Sequence, residues 1–535
     1  MMKTYYAITI GPIYKTLSMA RKTRELWSGS YLFSYLMKHL LMQLINNQDD
    51  IILPYAGVIA TGDKKVNLLH DPLEAGLFPD RCVIKMQNGE SLKDLKPLIE
   101  SVIEELIAKM IRHLDNTGKV TVFKSEAQDY FNNYFQVYAV SESFDEGILF
   151  RDVVKKLFDA LDILELQSKV IPKETQSYIY QFMTTSSFRA GGRLSFLKKD
   201  AGLSAERFES VIEIAAKELI TEERKEAFYK TMKINDDTIE ESLIDNLKEE
   251  NKDDYRTHHK YIAIVHIDGD NFGAFIKSLD NDTYTAFTKS LARFSLKANK
   301  LIQEYGGQPV YLGGDDALFF APVRNGNQNI ISLLDEIDYI FKEEFAAFKT
   351  EDRSIPTLSA GVAIHYYKHP LTETLERSRE LLFEVAKDFK TQEGELKNAI
   401  AIEVQKHSGL KFNAVFSKSK AQDSPYHQFK AMLTAHIDDG IFLNSVIQQM
   451  QRHQVLLNVA GTDLLKIGNF INNQFNEPVH DVPPFSVFLK GLKDFIPRVY
   501  QAYPAPIKDT EQDQRAVALY GGLRLVKFLN RDDNE

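Results

Sequence analysis

The sequence of 535 residues lacks the cysteines that several classes of protein require. Cys82 is its single cysteine, which excludes an intrachain disulfide and a zinc site built from several thiolates. No apolar stretch approaches the roughly 18 residues that span a bilayer. Residues 1–10 lack the long apolar run and the small-residue cleavage site of a secretory signal. We therefore expect a cytoplasmic protein with no membrane association.

Positive charge is also scarce. The chain has 65 Lys and Arg against 75 Asp and Glu, and its net charge is −10. This balance argues against a free-standing, nonspecific DNA-binding protein, which needs a basic surface. It is compatible with local basic patches, and with work on a nucleotide whose phosphates are carried by a divalent metal. The length predicts roughly three or four domains.

The first 256 residues predict two segments of different character. Residues 1–146 combine short apolar runs with a helical pattern that carries Trp27 and Tyr31 on its apolar face. The strands expected there are Tyr5–Ile10, Ile51–Pro54, Arg81–Lys85 and Tyr134–Val140. Residues 147–256 predict a helical insert, with Ser204 as a candidate N-cap and the polar run Lys248–Asp254 as its end.

Residues 257–410 predict a second mixed domain, and residues 411–535 a mainly helical C-terminal domain. The second mixed domain has the order β-α-β-β-α-β with a further helix and strand, which is that of a ferredoxin-like palm. Its expected elements are Tyr261–Ile267, Tyr284–Tyr305, Val310–Leu312, Leu318–Ala321, Ile331–Phe348, Leu358–Tyr366, Leu371–Phe389 and Ala399–Val404.

Two acidic motifs carry the chemistry of this domain. Asp268–Asn271 (DGDN) follows a buried strand, and Gly313–Asp316 (GGDD) lies on the turn of a hairpin. If the two strands pair, three or four carboxylates converge, which is costly unless a cation is present. Two divalent metals about 4 Å apart would then serve in-line attack on an α-phosphate. Glycines at the turn would let a triphosphate approach the backbone closely.

Each of these signals also has an ordinary structural interpretation. GGDD alone is a good tight-turn sequence, and an isolated DxD is weaker still, so the hypothesis depends on both motifs occurring together. Lys387 follows Val385-Ala386 at the end of an amphipathic helix. It fits either the same site or a solvated helix end, where a cation is favoured in any case.

Several stretches resemble one family. Ala20–Leu32 (ARKTRELWSGSYL) and Leu77–Val83 (LFPDRCV) resemble the first palm domain of the large subunit of type III CRISPR effector complexes, in the Cmr (III-B) branch. The DGDN and GGDD pair, Ser359–Gly361 and Ala386-Lys387 resemble that family's second palm. The resemblance implies an α+β fold with two ferredoxin-like palm domains, a helical insert between them and a helical C-terminal domain.

The resemblance also implies an activity. In that family the second palm polymerises ATP into cyclic oligoadenylate when the complex binds target RNA, with two Mg²⁺ or Mn²⁺ ions. The 3′-hydroxyl of one ATP attacks the α-phosphate of another and pyrophosphate leaves. The roles carried over are metal ligands for Asp268, Asp315 and Asp316, support for the metals and nucleotide from Asp270 and Asn271, phosphate contact for Gly313 and Gly314, and triphosphate contact for Lys387.

Two departures from the family pattern affect the expected product. Many members begin with an HD nuclease domain, but the adjacent His-Asp pairs here, His70-Asp71 and His480-Asp481, have no companion histidines. We therefore expect no cleavage of single-stranded DNA. One cysteine also cannot form the family's four-cysteine zinc finger. A branch without the nuclease could use S-adenosylmethionine as acceptor and form an AMP conjugate, with a polar residue such as Asp71 in contact with that acceptor.

The partners implied by the resemblance are the other Cmr subunits, CRISPR RNA and target RNA. The basic cluster Arg21, Lys22 and Arg24 fits contact with RNA phosphates or a neighbouring subunit, and equally the solvated face of the helix that carries Trp27. Tyr520, Leu523 and Phe528 fit either a docking surface for a small helical subunit or the core of the C-terminal domain.

Two other classes of function stay open at this point. One is a stand-alone nucleotide cyclase of the diguanylate type, although such an enzyme needs only one palm per chain. The other is a scaffold that binds ATP without chemistry, which the intact DGD and GGDD motifs disfavour.

Overall fold

A computed structural model gives the fold of the chain. The structure describes residues 2–44, 50–62, 64–86, 91–118, 121–167, 177–186, 194–203, 208–220, 255–394, 396–418, 424–434, 440–474, 483, 485–506 and 513–530. The predictions at Ser204, Lys248–Asp254 and His480-Asp481 lie outside these residues. Within the described ranges, we find no helix with both the length and the hydropathy required to cross a bilayer.

The strands form two main sheets and two small hairpins. The strands are β1 Met2–Gly11, β2 Ile51–Leu53, β3 Val58–Thr61, β4 Lys64–Asn67, β5 Arg81–Lys85, β6 Gln136–Asp145, β7 Tyr261–Asp270, β8 Gln308–Gly313, β9 Asp316–Pro322, β10 Arg324–Asn325, β11 Gln328–Asn329, β12 Thr357–Tyr366, β13 Ala399–Gln405 and β14 Lys411–Ser417.

Helices connect and cover these sheets. The α-helices are α1 Ile13–Leu17, α2 Thr23–Leu44, α3 Leu92–Thr117, α4 Lys124–Tyr134, α5 Phe150–Glu165, α6 Tyr178–Thr185, α7 Phe196–Asp200, α8 Val211–Ala215, α9 Phe272–Ile276, α10 Asn281–Glu304, α11 Ile330–Phe345, α12 Leu371–Glu380, α13 Pro425–Leu433, α14 Gly440–Arg452, α15 Gln454–Ala460, α16 Leu464–Gln474, α17 Phe485–Ala502, α18 Gln514–Ala516 and α19 Gly522–Asn530. Two π-helical turns, Leu381–Ala386 and Val517–Gly521, extend α12 and α18.

Both main sheets have ferredoxin-like topology. The first has the order β2-β5-β1-β6 and the second the order β14-β13-β12-β7-β9-β8. In each, four strands follow the β-α-β-β-α-β sequence, and the first strand lies between the third and the fourth. The α+β class with two palms is therefore confirmed. The second sheet carries two additional strands, β13 and β14, on one side.

The chain divides into two compact units. The first comprises Met1–Ser210, Asn271–Phe319 and Asp335–Thr357. In it, β1 pairs antiparallel with both β5 and β6. The α2 helix buries the rings of Trp27 and Tyr31, which stack with centroids 5.0 Å apart, as its apolar periodicity predicts. The Trp27 indole also donates a hydrogen bond to the carbonyl of Glu74 at 2.9 Å.

The second unit comprises Val211–Asp270, Phe320–Leu334 and Leu358–Glu535. Its strands β12 and β13 run parallel, and β13 pairs antiparallel with β14. The apolar side chains of β7, β12 and β13 are buried almost throughout. That burial explains why these strands read as continuous apolar runs in the sequence.

Residues 411–535 are predicted to be mainly helical, but the structure begins this region with a strand. Strand β14, Lys411–Ser417, follows a tight turn in which Gly409 has φ +83°. The Lys406 amide closes that turn on the carbonyl of Leu410 at 2.9 Å. The signal was present as the period-two alternation of Phe412, Ala414 and Phe416, which indicates a strand.

The C-terminal helices settle one alternative for Leu523. Leu523 on α19 is buried, so it belongs to the core of this region and not to a docking surface. Tyr520 is half-buried and its hydroxyl donates to the carbonyl of Met450 at 3.2 Å. Phe528 packs edge-on against Tyr261, with centroids 5.2 Å apart. These contacts favour the core interpretation for the three residues.

Candidate active site

In the second unit, strand β7 carries the DGD motif on one face. The two-residue period places His266, Asp268 and Asp270 on the same side. His266 contacts Ser378 of α12 through its Nδ1 at 2.7 Å. Asp268 forms an ion pair with Lys387, whose ammonium also donates to the carbonyl of Gly269 at 3.1 Å. The Lys387 side chain therefore contacts the DGD motif and does not extend into solvent at the end of the helix.

The π-helical turn before Lys387 determines where its side chain goes. The Lys387 amide bonds the carbonyl of Leu382, five residues earlier, in place of the usual four. The ammonium lies among protein atoms, and this burial, together with the positive charge of Lys397, lowers the pKa of Lys387 to about 8. The group is still mostly cationic at neutral pH. It neutralises Asp268 in the absence of any bound ion.

Asp270 is fully buried, in contrast to Asp268. Its carboxylate accepts hydrogen bonds from the Ser359 hydroxyl at 2.8 and 3.0 Å, and from the Asn398 amide at 3.0 Å. The Ala399 amide in turn donates to the Ser359 oxygen at 3.3 Å. These hydrogen bonds fix the end of β7 against β12 and the start of β13. They do not test whether Asp270 supports the metals and the nucleotide, so that role stays a prediction.

In the first unit, the GGDD turn joins β8 to β9. Gly314 has φ +76°, a conformation that side-chain-bearing residues rarely adopt, and a Cβ there would meet open space. Its carbonyl accepts from the Ser295 hydroxyl at 3.3 Å. A Cβ at Gly313, in contrast, would overlap the hydroxyl of Tyr311. The open surface at Gly314 fits the predicted phosphate approach, whereas Gly313 makes room for a tyrosine.

Asp316 is reached by solvent, yet the protein around it displaces much of its hydration. This loss of solvation raises the pKa of Asp316 to about 6. Burial also raises the pKa of Asp80, which lies in the first unit. The charge of Arg81 lowers this pKa in part, and the charge of Asp316 raises it further. In the described part of the chain neither carboxylate forms an ion pair with Lys or Arg. Poorly hydrated carboxylates without a cationic partner are the donor set that a divalent cation takes.

Tyr311 lies in the same group of acidic residues. Burial raises the pKa of its hydroxyl well above the ordinary value, and the charges of Asp316, Asp80 and Asp315 act in the same direction. Its backbone is held by the N-terminal segment of the first unit, because Tyr311 forms a parallel bridge with Gly76 and the Leu312 amide donates to the Gly76 carbonyl at 2.9 Å.

Two predicted residues have structural contacts that the sequence did not indicate. Asn271 is exposed and adopts φ +61°, and its carbonyl accepts from the amides of Ala274 and Phe275 at the start of α9. The Asp71 carboxylate accepts from the Asn67 amide at 2.7 Å and closes the turn after β4. Neither set of contacts tests a role toward a nucleotide, so both roles stay predictions.

Sequence reasoning assigned no individual role to Asp80 and Tyr311 in the first unit. It also assigned none to the Ser359 hydroxyl in the second unit. Asp80 and Ser359 lie inside stretches that carry the family resemblance, LFPDRCV and Ser359–Gly361. Tyr311 is two residues before Gly313 and therefore on the same face of β8. That spacing was the available signal.

A separate cluster in the second unit has the residue types of a metal site. Ligand atoms of Glu218, His258 and His259 lie within 4.8 Å of one another. The Arg256 amide donates to the Nδ1 of His259 at 2.9 Å, so that ring carries its proton on Nε2 and donates it to Glu218. A protonated Nε2 cannot ligate a metal. We therefore interpret the cluster as a hydrogen-bonded clasp.

The clasp connects three segments of the second unit. Glu218 also accepts from the His258 Nε2 at 2.9 Å and from the Gly326 amide at 2.7 Å. Burial acts to raise the pKa of Glu218, but hydrogen bonds from the two histidines outweigh it, and the pKa lies well below the ordinary value. Burial lowers the pKa of His258 to about 4.

Two family models match separate parts of the chain. The model described as CRISPR-associated protein Cmr2, N-terminal, matches residues 5–112, and the model described as Cas10/Cmr2, second palm domain, matches residues 261–401. The Cmr subunit Cmr2 of the CRISPR system of Pyrococcus furiosus is 34% identical over 121 residues. That alignment spans 22% of this chain and 12% of the relative.

Solved structures extend the similarity of fold to the whole chain. A type III-B Cmr-beta complex in the apo state contains a chain that aligns with a TM-score of 0.57 and 12% identity, over 99% of this chain and 81% of that one. The type III-B Cmr-beta complex bound to cognate target RNA gives a TM-score of 0.54 and 13% identity, over 99% and 83%.

The fold and the acidic motifs define a palm-domain protein of the nucleotidyltransferase-like class. Two palms occur in one chain, and each is matched by a model of the same family. The chain is therefore similar, in both of its palms, to Cas10/Cmr2 proteins, the large subunits of type III-B CRISPR complexes.

We predict that Asp270→Ala destabilises the protein. The Ser359 hydroxyl and the Asn398 amide would be left buried without an acceptor, at about 1–3 kcal/mol for each. Thermal unfolding of the full chain measures the loss. Asp316→Ala is the matched control: it removes an unpaired, poorly hydrated carboxylate, so its melting temperature should equal or exceed that of the wild type. Equal melting temperatures for Asp270→Ala and the wild type would refute the assigned role.

Because His258 is buried in the clasp, we predict that the folded chain loses stability in acid and that His258 causes this loss. Its pKa is about 4 in the folded chain and near 6.5 in the unfolded chain, so the unfolded state binds the extra proton between these values. Stability from this group is complete above pH 6.5 and falls as the pH drops toward 4, by at most about 1.4 kcal/mol per pH unit. The stability difference between wild type and His258→Asn should shrink over that window in denaturant titrations. A difference independent of pH would contradict this.

Proposed function

We propose that this chain is the nucleotide-synthesising large subunit of an RNA-guided type III CRISPR antiviral complex. On binding of target RNA, the complex would use the second palm to convert ATP into a signalling nucleotide. Its partners would be the other Cmr subunits, the CRISPR RNA and the target RNA. The similarity of both palms to Cas10/Cmr2 proteins supports the complex, and the acidic motifs support the chemistry.

One observation carries the catalytic part of the proposal. In the described residues, Asp316 of the GGDD turn has no cationic partner and its pKa is raised to about 6. A carboxylate that only stabilises a turn is usually hydrated, hydrogen-bonded or ion-paired. A carboxylate that binds a divalent cation and a triphosphate lacks such a partner before they bind, and its pKa is raised. When bound, a divalent cation would neutralise these carboxylates and polarise the α-phosphate.

Each residue of the proposed site would have a separate role. Asp268, Asp315 and Asp316 would hold the cations, as the resemblance to the family's second palm implies. Gly314 would let the phosphates approach the backbone. Lys387, now paired with Asp268, would turn toward the triphosphate once a cation neutralises Asp268.

The reaction would be a transfer of an adenylyl group. A hydroxyl oxygen of the acceptor forms a bond to the α-phosphorus of ATP, the bond from that phosphorus to the β-phosphate oxygen breaks, and pyrophosphate leaves. With ATP as the acceptor, repeated transfers give a linear oligoadenylate. Attack of its terminal 3′-hydroxyl on the α-phosphate of its own 5′-triphosphate then releases a last pyrophosphate and closes the ring to a cyclic oligoadenylate. With S-adenosylmethionine as the acceptor the product is an AMP conjugate, and Asp71 would contact that acceptor. Labelled ATP with and without S-adenosylmethionine distinguishes the two, and labelled GTP tests the diguanylate alternative.

We predict that Asp315→Ala with Asp316→Ala abolishes nucleotide product and leaves binding of target RNA by the assembled complex intact. The two carboxylates are at a turn and outside the core, so their loss removes metal ligands without removing packing. Product is measured from labelled ATP with Mg²⁺ and target RNA.

Glu351→Ala with Asp352→Ala is the matched control, because it removes an adjacent pair of exposed acidic residues from another loop of the same unit. That control should form product at the wild-type rate. Wild-type yield from the Asp315/Asp316 double variant would overturn the proposed site.

A further inference from the structure

The tyrosine before the GGDD turn has an arrangement that packing alone does not explain. Tyr311 and Gly313 lie on the same face of β8, and the tyrosine ring extends over the glycine. The hydroxyl occupies the position that a Cβ of residue 313 would take. Any side chain at residue 313 would therefore displace the ring. Gly313 is therefore required to leave room for Tyr311, and Gly314 is required because its backbone has a positive φ.

Three carboxylates, those of Asp80, Asp315 and Asp316, act electrostatically on the hydroxyl of Tyr311. Nevertheless, no hydrogen bond joins the hydroxyl to any group in the described ranges, and the side chain is partly open to solvent. A tyrosine with an ordinary pKa near 10 is protonated at neutral pH and acts as a donor. A donor beside the open surface at Gly314 can serve an oxygen of a ligand.

The position of this donor is set from two directions. The backbone of β8 is joined to the N-terminal segment at Gly76, through the bridge to Tyr311 and the hydrogen bond from Leu312. The same segment carries Asp80, four residues further on. The ring lies over Gly313, where no side chain competes with it for space. A donor held by its backbone and by its ring is preorganised, so little conformational entropy is lost when it binds a ligand.

We propose that Tyr311 is a nucleotide-contact residue, whose hydroxyl donates a hydrogen bond to an oxygen of the ATP bound at the GGDD turn, and that Gly313 exists to leave room for it. This inference rests on the proposed function, because it assumes that ATP binds at the turn. It assigns the tyrosine to binding and leaves the transfer chemistry to the carboxylates.

The test is equilibrium binding of labelled ATP with Mg²⁺ to the full chain. Tyr311→Phe retains the ring over Gly313 and removes only the hydroxyl, so the dissociation constant should rise about 3- to 10-fold, the usual effect of one hydrogen bond. Its melting temperature should stay at the wild-type value. Tyr339→Phe, at an exposed tyrosine of α11, is the matched control and should bind ATP like the wild type.

A double-mutant cycle tests the role of Gly313. Gly313→Ala should weaken ATP binding in the wild-type background, because the new methyl group displaces the ring. In a Tyr311→Ala background the same change should have little further effect, since the space is then vacant. Equal and additive losses in both backgrounds would show that Gly313 acts independently of the tyrosine, and would overturn this part of the inference.

The outcomes separate this inference from the proposed function. Wild-type ATP affinity in Tyr311→Phe, with product formation intact in the wild type, overturns the role of the tyrosine and leaves the proposed function standing. A wild-type chain that binds no ATP overturns both. Weaker ATP binding by Tyr311→Phe, with unchanged melting temperature and an unaffected Tyr339→Phe, supports the contact.

Discussion

The hydrogen bonds of the buried Asp270 carboxylate are the interaction on which the position of strand β7 depends. It accepts from Ser359 on β12 and from the backbone of Asn398 just before β13, so one side chain joins three strands of the second unit. Because it is fully enclosed, its hydrogen bonds cannot be replaced by water. Asp268, two residues earlier on the same face, is half-buried and pairs with Lys387. The DGD motif thus contains one fully buried, hydrogen-bonded carboxylate and one ion-paired carboxylate.

The first unit shows the opposite use of acidic residues. Asp80 and Asp316 repel each other, and burial raises the pKa of both, although the side chain of Asp316 is exposed and Arg81 offsets part of the effect at Asp80. Such an arrangement costs stability in the isolated chain and is favourable only when a cation binds. Asp270 maintains the fold, whereas under the proposed function the GGDD region would bind the cation at the expense of stability.

The sequence predicted both palms, the acidic motifs and the buried face of the helix with Trp27, because these depend on local periodicity and on residue types. It could not separate Asp268 from Asp270, because the two differ only in contacts with Lys387 and Ser359, more than 80 residues away. Asp80 and Tyr311 were missed because their relation to the GGDD turn arises from the bridge at Gly76. The resemblance stretch LFPDRCV marked Asp80 without indicating a role. The histidines at 258 and 259 gave no signal, because their partner, Glu218, is distant in sequence.

The location of a bound divalent cation tests the central claim most directly. Crystals of the chain grown with Mn²⁺ and ATP would show the ion in an anomalous difference map. The proposed site predicts a peak at a ligand distance of about 2.0–2.3 Å from a carboxylate oxygen of Asp316, with the ATP phosphates beside it. A peak at Glu218, His258 and His259 with none at Asp316 would contradict both the proposed site and the interpretation of that cluster as a clasp.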